Sequence, residues 1–263
     1  MATGLLLIGV NSATKLLTFL VGEDKTYLAT IRLGASTITD DKESEYLSVS
    51  DPVKIAALTD AEIEKAIDSL RGNIQQVPSS VSAIKVNGER AYAKVRAGDE
   101  VKLSARPVTV SKFKILGAPE KVNEAGNSFI DIQVEVDCSS GTYIRALARD
   151  LGEALGVGGH LIALQRTRIG KYLLDQAQPV DLPDKENFKV LDISAAATQQ
   201  FPVRMLSEQE VIDLHHGKRL TASVEDSAVF AGVDSNGKLI AMLTKVNNEV
   251  KSLVVFAEGK TND

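Results

Sequence analysis

Two apolar, alternating stretches flank one amphipathic run, and this strand–helix–strand order constrains the fold more than any other feature of the chain. SFIDIQVEVDC (128–138) alternates with the period of a strand, and HLIALQRTRIGKY (160–172) returns as another. Between them, in SSGTYIRALARDLGEALG, the residues Ile144, Leu147, Ala148, Leu151 and Leu155 fall on one helical face, and Gly156 marks the helix end. Such a face has to be buried against another element.

The remaining elements come from local signals. KTYLATIRLG and RPVTVSKFKILG read as strands, and so does the opening LLLIGV (5–10), an apolar run with no polar lead-in that reads as buried. Ser12 is placed to cap a short helix, ATKLLTFL, ended by Gly22. Thr59-x-x-Glu62 and Ser207-x-x-Glu210 are capping boxes ahead of helices stopped by Gly72 and Gly217. From Asn73 to Arg106 the pattern breaks into an irregular insertion with an Asn87-Gly88 turn and a short helical AYAKVRAG. A proline-containing charged stretch from Pro179 reads as a linker, and three short strands around DSNGK and VNNE close a small, mostly β module.

Composition excludes several classes. LLLIGV has no basic n-region, Lys15 interrupts the next apolar stretch, and no uncharged run reaches the roughly 20 residues of a membrane helix. One cysteine, Cys138, allows no internal disulfide and fits a reducing compartment, so a cytoplasmic, non-membrane protein is expected, with Cys138 in the core. The net charge of −5 disfavours nonspecific nucleic-acid binding. Yet Arg71, Lys85, Arg90, Lys94, Arg96, Lys102, Arg106, Lys112 and Lys114 cluster against only Glu89, Asp99 and Glu100. Either a polyanion meets this face or it is a solvated loop.

Metal chemistry has no support, since His160, His215 and His216 lack ligand spacing. GVGG (156–159) comes after a helix rather than a strand and lacks the Lys-Ser/Thr ending, so it reads as a helix cap and not a phosphate loop. Arg145 falls in the first turn of its helix, where the macrodipole disfavours a cation. It calls for an anion, either a carboxylate of this chain or a phosphate, unless it is simply solvated. Tyr27 and Tyr143 are core tyrosines or, beside arginines, platforms for an unpaired base.

In order along the chain, ATGLLLIGVNSATK, KTYLATIRLG, RGNIQQVPSSVSAIKVNGERAYAKVRAG, ARPVTV and CSSGTYIRALARDLGEALGVGGHLIALQRTRIG resemble successive motifs of the bacterial TruB-type tRNA pseudouridine synthases, from about Ala2 to Tyr172. LSEQEVIDLHHGKRL and the strands after it resemble the small PUA-like RNA-binding domain that ends many members. The resemblance implies an α+β fold with a mixed, largely antiparallel sheet flanked by helices. It implies a catalytic domain over 1–178 with an RNA-clamping insertion at about 73–106, a linker over 179–198 and a PUA-like domain over 199–263. It also implies isomerisation of uridine 55 in the T loop of tRNA, without metal or cofactor, by a cytoplasmic monomer. By position, Tyr27 would stack on the uracil and assist at carbon 5, and Arg145 would pair with the catalytic aspartate. Tyr143 and Leu164 would line the base pocket, and Lys85, Arg90, Arg96 and Arg166 would contact the RNA.

In that family ATGLL is preceded by H-x-G-x-L-D-P-x, whose aspartate is the nucleophile. Here Met1 occupies the x before Ala2, so the aspartate is not among the 263 residues. Asp24 belongs to another motif, and Asp40 and Asp41 read as an exposed acidic turn. The expectation is an inert polypeptide from an enzyme whose start codon was assigned at an internal methionine, or a clipped product. The alternative is a non-catalytic RNA-binding or tRNA-chaperone relative that begins at Met1.

Overall fold

The computed structural model describes residues 2–79, 103–180, 189–223, 225 and 228–256, together with the backbone of 85–86 and 89–90. These form two compact units, one made of residues 1–5 and 22–169, the other of 6–21 and 170–263.

The first unit is built on a mixed sheet. Its strands are β1 (Ala2–Gly4), β2 (Lys25–Leu33), β5 (Gly72–Gln76), β8 (Arg106–Ile115), β9 (Glu120–Glu124), β10 (Asn127–Cys138) and β11 (Gly159–Ile169). The order is β1-β11-β2-β10-β8-β5, with β9 on β10; β1 runs parallel to β11 and the other pairings are antiparallel. Two ribbons accompany it, β3 (Ala35–Thr37) with β4 (Tyr46–Val49), and β6 (Lys85–Val86) with β7 (Glu89–Arg90). The alternation in β2 and β10 sends Ile31, Leu33, Ile132, Val134 and Val136 into the core. The opposite face is polar and self-neutralised, with Arg32 forked onto Asp131 at 2.8 and 2.9 Å. Helices α2 (Pro52–Ala57), α3 (Asp60–Asp68) and α4 (Ile144–Ala154) cover the apolar face through Ile55, Ile63, Ile67, Leu147 and Leu151.

The GVGG segment ends α4 and turns the chain back. Gly156 has φ +68°, and Val157 and Gly158 both donate to the Gly152 carbonyl at 3.0 Å. The capping boxes at Thr59 and Ser207 form in both directions. Cys138 is buried, and burial pushes its thiol up to about 11, an inert core position.

In the second unit, α1 (Ala13–Leu20) and α5 (Ile193–Gln200) share a core with the C-terminal sheet, where Leu16, Ala197, Ala231, Leu239, Met242 and Phe256 meet. Short β12 (Tyr172–Leu173) and α6 (Glu208–His215) also belong to this unit. Its five strands are β13 (Val203–Met205), β14 (Leu220–Thr221), β15 (Phe230–Val233), β16 (Leu239–Val246) and β17 (Glu249–Val255), ordered β13-β15-β16-β17-β14. Helix α5 starts inside the stretch that reads as a linker, capped by Asp192, whose carboxylate accepts from the Ser194 and Ala195 amides.

Two local expectations need correction. LLLIGV is not a buried strand: pairing stops at Gly4, Leu5 is buried, and Leu6, Ile8 and Val10 are 66%, 70% and 62% exposed. Ser12 makes no side-chain cap; the turn into α1 is made by backbone bonds from Ala13, Thr14 and Lys15 to Val10, Asn11 and Ser12. Its helical backbone (φ −61°, ψ −27°) is not the extended conformation in which a serine hydroxyl reaches the third amide.

Candidate active site

Sheet register sets one half of the site. Gly4 lies beside Arg166, Arg166 beside Tyr27, and Tyr27 beside Val136, a row across β1, β11, β2 and β10. One step along, Ala2 lies beside Leu164 and Leu164 beside Ala29. Gly4 is required here, because at φ +100° an added Cβ would stand 2.3 Å from the Arg166 carbonyl oxygen. The Arg166 guanidinium donates from Nε to the Leu5 carbonyl at 2.7 Å, and the Leu5 amide donates to the Arg166 carbonyl at 2.8 Å. Arg166 also hydrogen-bonds Tyr27; burial pushes the phenol above its ordinary value and this bond pulls the other way. Tyr27 and Leu164 pack on the core that α4 contributes to through Ile144 and Leu147. Tyr27 is thus a half-buried ring, neutral at neutral pH and held through its hydroxyl by Arg166.

The other half is the start of α4. Tyr143 is its N-cap and makes no side-chain cap bond. Arg145 donates from Nη1 to Asp41 Oδ2 at 2.8 Å and to the Thr39 carbonyl at 3.3 Å. Asp41 has both oxygens in use, since Oδ1 accepts from the Thr39 hydroxyl at 2.5 Å and from the Glu43 amide at 3.0 Å. One turn on, Arg149 reaches Asp40 at 3.2 Å, Asp150 at 2.7 Å and the Val77 carbonyl at 2.7 Å. The acidic pair is therefore no exposed turn: Asp40 and Asp41 are both buried. The i, i+4 spacing of Arg145 and Arg149 on one helix face carries the two carboxylates inward. The anion that Arg145 meets is a carboxylate of this chain.

Of the other residues named from sequence, Lys85 and Arg90 face one another in the β6–β7 ribbon, known here by backbone alone, and Arg96 lies outside the described residues, as does AYAKVRAG. Part of the local charge excess is neutralised within the chain: Arg71 pairs with Glu64 and Asp68, and Lys112 with Glu135. His160 is buried, its Nδ1 on the Ala35 carbonyl at 3.0 Å. Among the described residues no His, Cys, Asp or Glu group of three or more stands in a metal-holding arrangement, and no helix is long and apolar enough to cross a membrane.

Asp40 offers a test of its surroundings. It sits at φ +58°, a conformation Asn adopts readily, and burial raises its pKa against the pull of Arg149. A raised carboxyl pKa means that the ionised form costs the folded state stability at neutral pH, a cost relieved as pH falls through the folded value. Asp40→Asn is expected to melt at or above the wild-type temperature at pH 7, Arg149 keeping Asp150. The difference should shrink on acidification; a variant several degrees less stable at pH 7 contradicts the argument.

Residues 1–144 match the model of the TruB family pseudouridylate synthase N-terminal domain. Residues 145–197 match the tRNA pseudouridylate synthase B C-terminal domain, and 201–257 the tRNA pseudouridine synthase II C-terminal domain. Over 98% of its length the chain is 50% identical to tRNA pseudouridine synthase B of Arthrobacter sp. (strain FB24), covering 84% of that protein. The chain belongs to the TruB family of pseudouridylate synthases. It is 49% identical to tRNA pseudouridine synthase B of Paenarthrobacter aurescens (strain TC1), over 98% of this chain and 84% of that one.

The pseudouridine synthase fold is recovered in solved structures too. A Cbf5-Nop10-Gar1 complex matches with a TM-score of 0.65 at 20% identity, over 97% of this chain and 72% of that one. An H/ACA RNP bound to a substrate RNA containing 2'-deoxyuridine matches with a TM-score of 0.63 at 19% identity, over 95% and 71%. Within this TruB fold, sequence reading does not single out Arg149 or Gln76, and it takes the buried Asp40 and Asp41 for an exposed turn. The signal available for three of them was the Arg145/Arg149 spacing, which asks for two inward carboxylates where the chain has adjacent aspartates.

Proposed function

We propose that this protein isomerises uridine 55 in the T loop of tRNA to pseudouridine. The observation that carries the reading is the 50% identity, over 98% of the chain, to a relative named tRNA pseudouridine synthase B. The Tyr27–Arg166 pair, Leu164 in the neighbouring row and the Arg145 helix start supply groups of the kind the reaction needs. The target nucleotide leaves the stack and its uracil lies on Tyr27, with Leu164 and Tyr143 around it. A carboxylate oxygen bonds to C1' as the C1'–N1 bond breaks and uracil leaves as the N1 anion; the uracil turns, its C5 bonds to C1' and displaces the carboxylate, and the C5 proton is lost as N1 gains one. Atoms and electrons balance without metal, cofactor or redox partner.

The insertion at about 73–106, with Lys85, Arg90 and Arg96, grips the T stem-loop in this reading, and the C-terminal β unit acts as a PUA-like RNA-binding domain. The enzyme works as a cytoplasmic monomer. A nucleophile needs a carboxylate oxygen turned to the substrate, and Asp41, buried with both oxygens engaged, does not offer one. Asp41 is thus not proposed as the nucleophile; in this reading that role falls to the aspartate that the resemblance places before Ala2, and the 263 residues alone are expected to bind T-loop RNA weakly without isomerising it, since losing a covalent nucleophile costs roughly 10⁴-fold or more.

Tritium release from a tRNA transcript carrying 5-tritiated uridine tests this. The chain as given should release none, and the product of its own gene, with any in-frame codons upstream of Met1 retained, should release one tritium per tRNA. Release by the chain as given would show that the nucleophile lies within it. Tight RNA binding with no release by either form would favour the non-catalytic reading.

A further inference from the structure

Gln76 ends β5 with its side chain inside the protein, 1% exposed, although its amide has polar atoms at both ends. Both meet one residue: Gln76 Oε1 accepts from the Tyr143 amide at 2.8 Å, and Nε2 donates to the Tyr143 carbonyl at 3.1 Å. Burying a primary amide is costly unless both groups find partners, and here the partner is the backbone of the residue that opens α4. Tyr143 has no side-chain cap of its own, and its carbonyl also takes the first helical bond, from the Leu147 amide at 3.1 Å. The glutamine does not replace that cap, which would accept from the second or third helical amide; it clamps the backbone of Tyr143 on both sides and so holds the turn that leads into Arg145.

The chain just beyond Gln76 makes the same connection again. The Val77 carbonyl accepts from Arg149 at 2.7 Å, and the Ser79 hydroxyl donates to the Thr39 carbonyl at 3.3 Å. That carbonyl is also touched by Arg145. Residues 76–79 thus brace the Arg145–Asp41 pair both from α4 and from the loop that carries Asp41.

We propose that Gln76 is a positioning residue for the isomerase site, fixing the Tyr143–Arg145 turn through a two-way amide–peptide hydrogen-bond pair. The inference rests on the function proposed above. It requires one donor and one acceptor at this position, which only an amide or a protonated carboxyl of the same length supplies.

The test compares Gln76→Leu and Gln76→Glu with the wild type, each as the product of the native gene, on a tRNA transcript. Misplacing a reacting group by about 1 Å costs up to roughly 100-fold, so Gln76→Leu should lose about 10- to 100-fold in kcat at every pH, with KM for tRNA within about two-fold. In Gln76→Glu, an ionised carboxylate cannot donate to the Tyr143 carbonyl, whereas a protonated carboxyl can. That variant should therefore approach wild-type kcat at low pH and lose it as pH rises, a limb that neither the wild type nor Gln76→Leu shows. Among the described residues the charged groups at this site are Arg106, opposite on β8, Arg149, on the Val77 carbonyl, and Arg145, which favour the ionised form and oppose the effect of burial, with the Asp40 and Asp41 carboxylates on those arginines acting the other way.

Should Gln76→Leu fail to fold, the Gln76→Glu profile decides. An active wild type with unchanged kcat in Gln76→Leu, or with no new limb in Gln76→Glu, overturns the inference alone. A wild type that forms no pseudouridine in tRNA overturns the functional reading and the inference with it.

Discussion

Asp41→Ala is expected to lower the unfolding midpoint of the first unit by roughly 6–12 °C and, in the native gene product, to cut turnover by roughly 10²- to 10³-fold. The first figure reflects the charge that the substitution leaves behind. The Asp41 side chain is 4% exposed and that of Arg145 25%. Removing one partner of such a pair strands a charge with little water to receive it, at a cost of about 3 kcal/mol. At about 2–4 °C per kcal/mol for a unit of this size, the shift is readily measured. Losing the Thr39 and Glu43 bonds to the same carboxylate adds to it.

The second figure reflects where the stranded arginine sits. Electrostatic groups fixed at a reacting centre contribute about 10²- to 10³-fold each, and without Asp41 the Arg145 guanidinium loses the anion that aims it. A second substitution separates the two effects. Asp41→Ala with Arg145→Met removes the charge left without this carboxylate and should regain most of the lost stability, because an apolar side chain replaces a buried ion pair at little cost. Turnover should stay low. Recovery of turnover together with stability would make Arg145 a structural residue only; an Asp41→Ala midpoint equal to wild type would mean the pair contributes nothing to the fold.

That pair also marks the limit of what the sequence discloses. Signals confined to one turn or one strand were legible: the Leu147–Leu151 stripe, the Thr59 and Ser207 capping boxes, and Gly156 as a helix end all rest on spacings of a few residues. Arg145 at a helix start also raised the need for an anion, against the alternative of a solvated side chain. The identity of that anion did not show, because Asp41 lies 104 residues away and its own neighbours, TDDKESE, are as polar as any exposed turn. Gln76 was invisible for the same reason, its partner being 67 residues distant. LLLIGV misled because apolar composition signals burial on average, whereas pairing there depends on Gly4 meeting Arg166, and the register ends with that contact. Site residues that work through distant partners need the fold before they can be found: the resemblance named Tyr27, Arg145 and Leu164, but not Asp41 or Gln76, which hold the Arg145 turn.

Gly152→Ala should be severely damaging, since among the described glycines its added Cβ would make the shortest approach. Helix α4 meets the 157–159 return so closely that a Cβ on Gly152 would stand 2.1 Å from the Gly158 carbonyl carbon and the Gly159 nitrogen. The contact is tight from the other side as well, since a Cβ on Gly159 would meet the Ala148 carbonyl oxygen at 2.4 Å. These are backbone atoms, which cannot swing away as a side-chain end can, so the helix must lift or the return must unwind. Overpacking of this kind costs about 3 kcal/mol or more, and the midpoint should fall by at least roughly 6–12 °C. Gly156→Ala provides the contrast: nothing lies within 4 Å of its Cβ, and only the strain of φ +68° is added, about 1–2 kcal/mol. Turnover should fall in the same order. Lifting α4 moves Tyr143 and Arg145 at one end, while unwinding the return releases β11 and with it Leu164 and Arg166 at the other. A Gly152→Ala protein no less stable than Gly156→Ala would mean that the α4–β11 contact yields easily, and that the site is held by its side-chain bonds, those of Gln76, Asp41, Arg149 and Arg166, rather than by this contact.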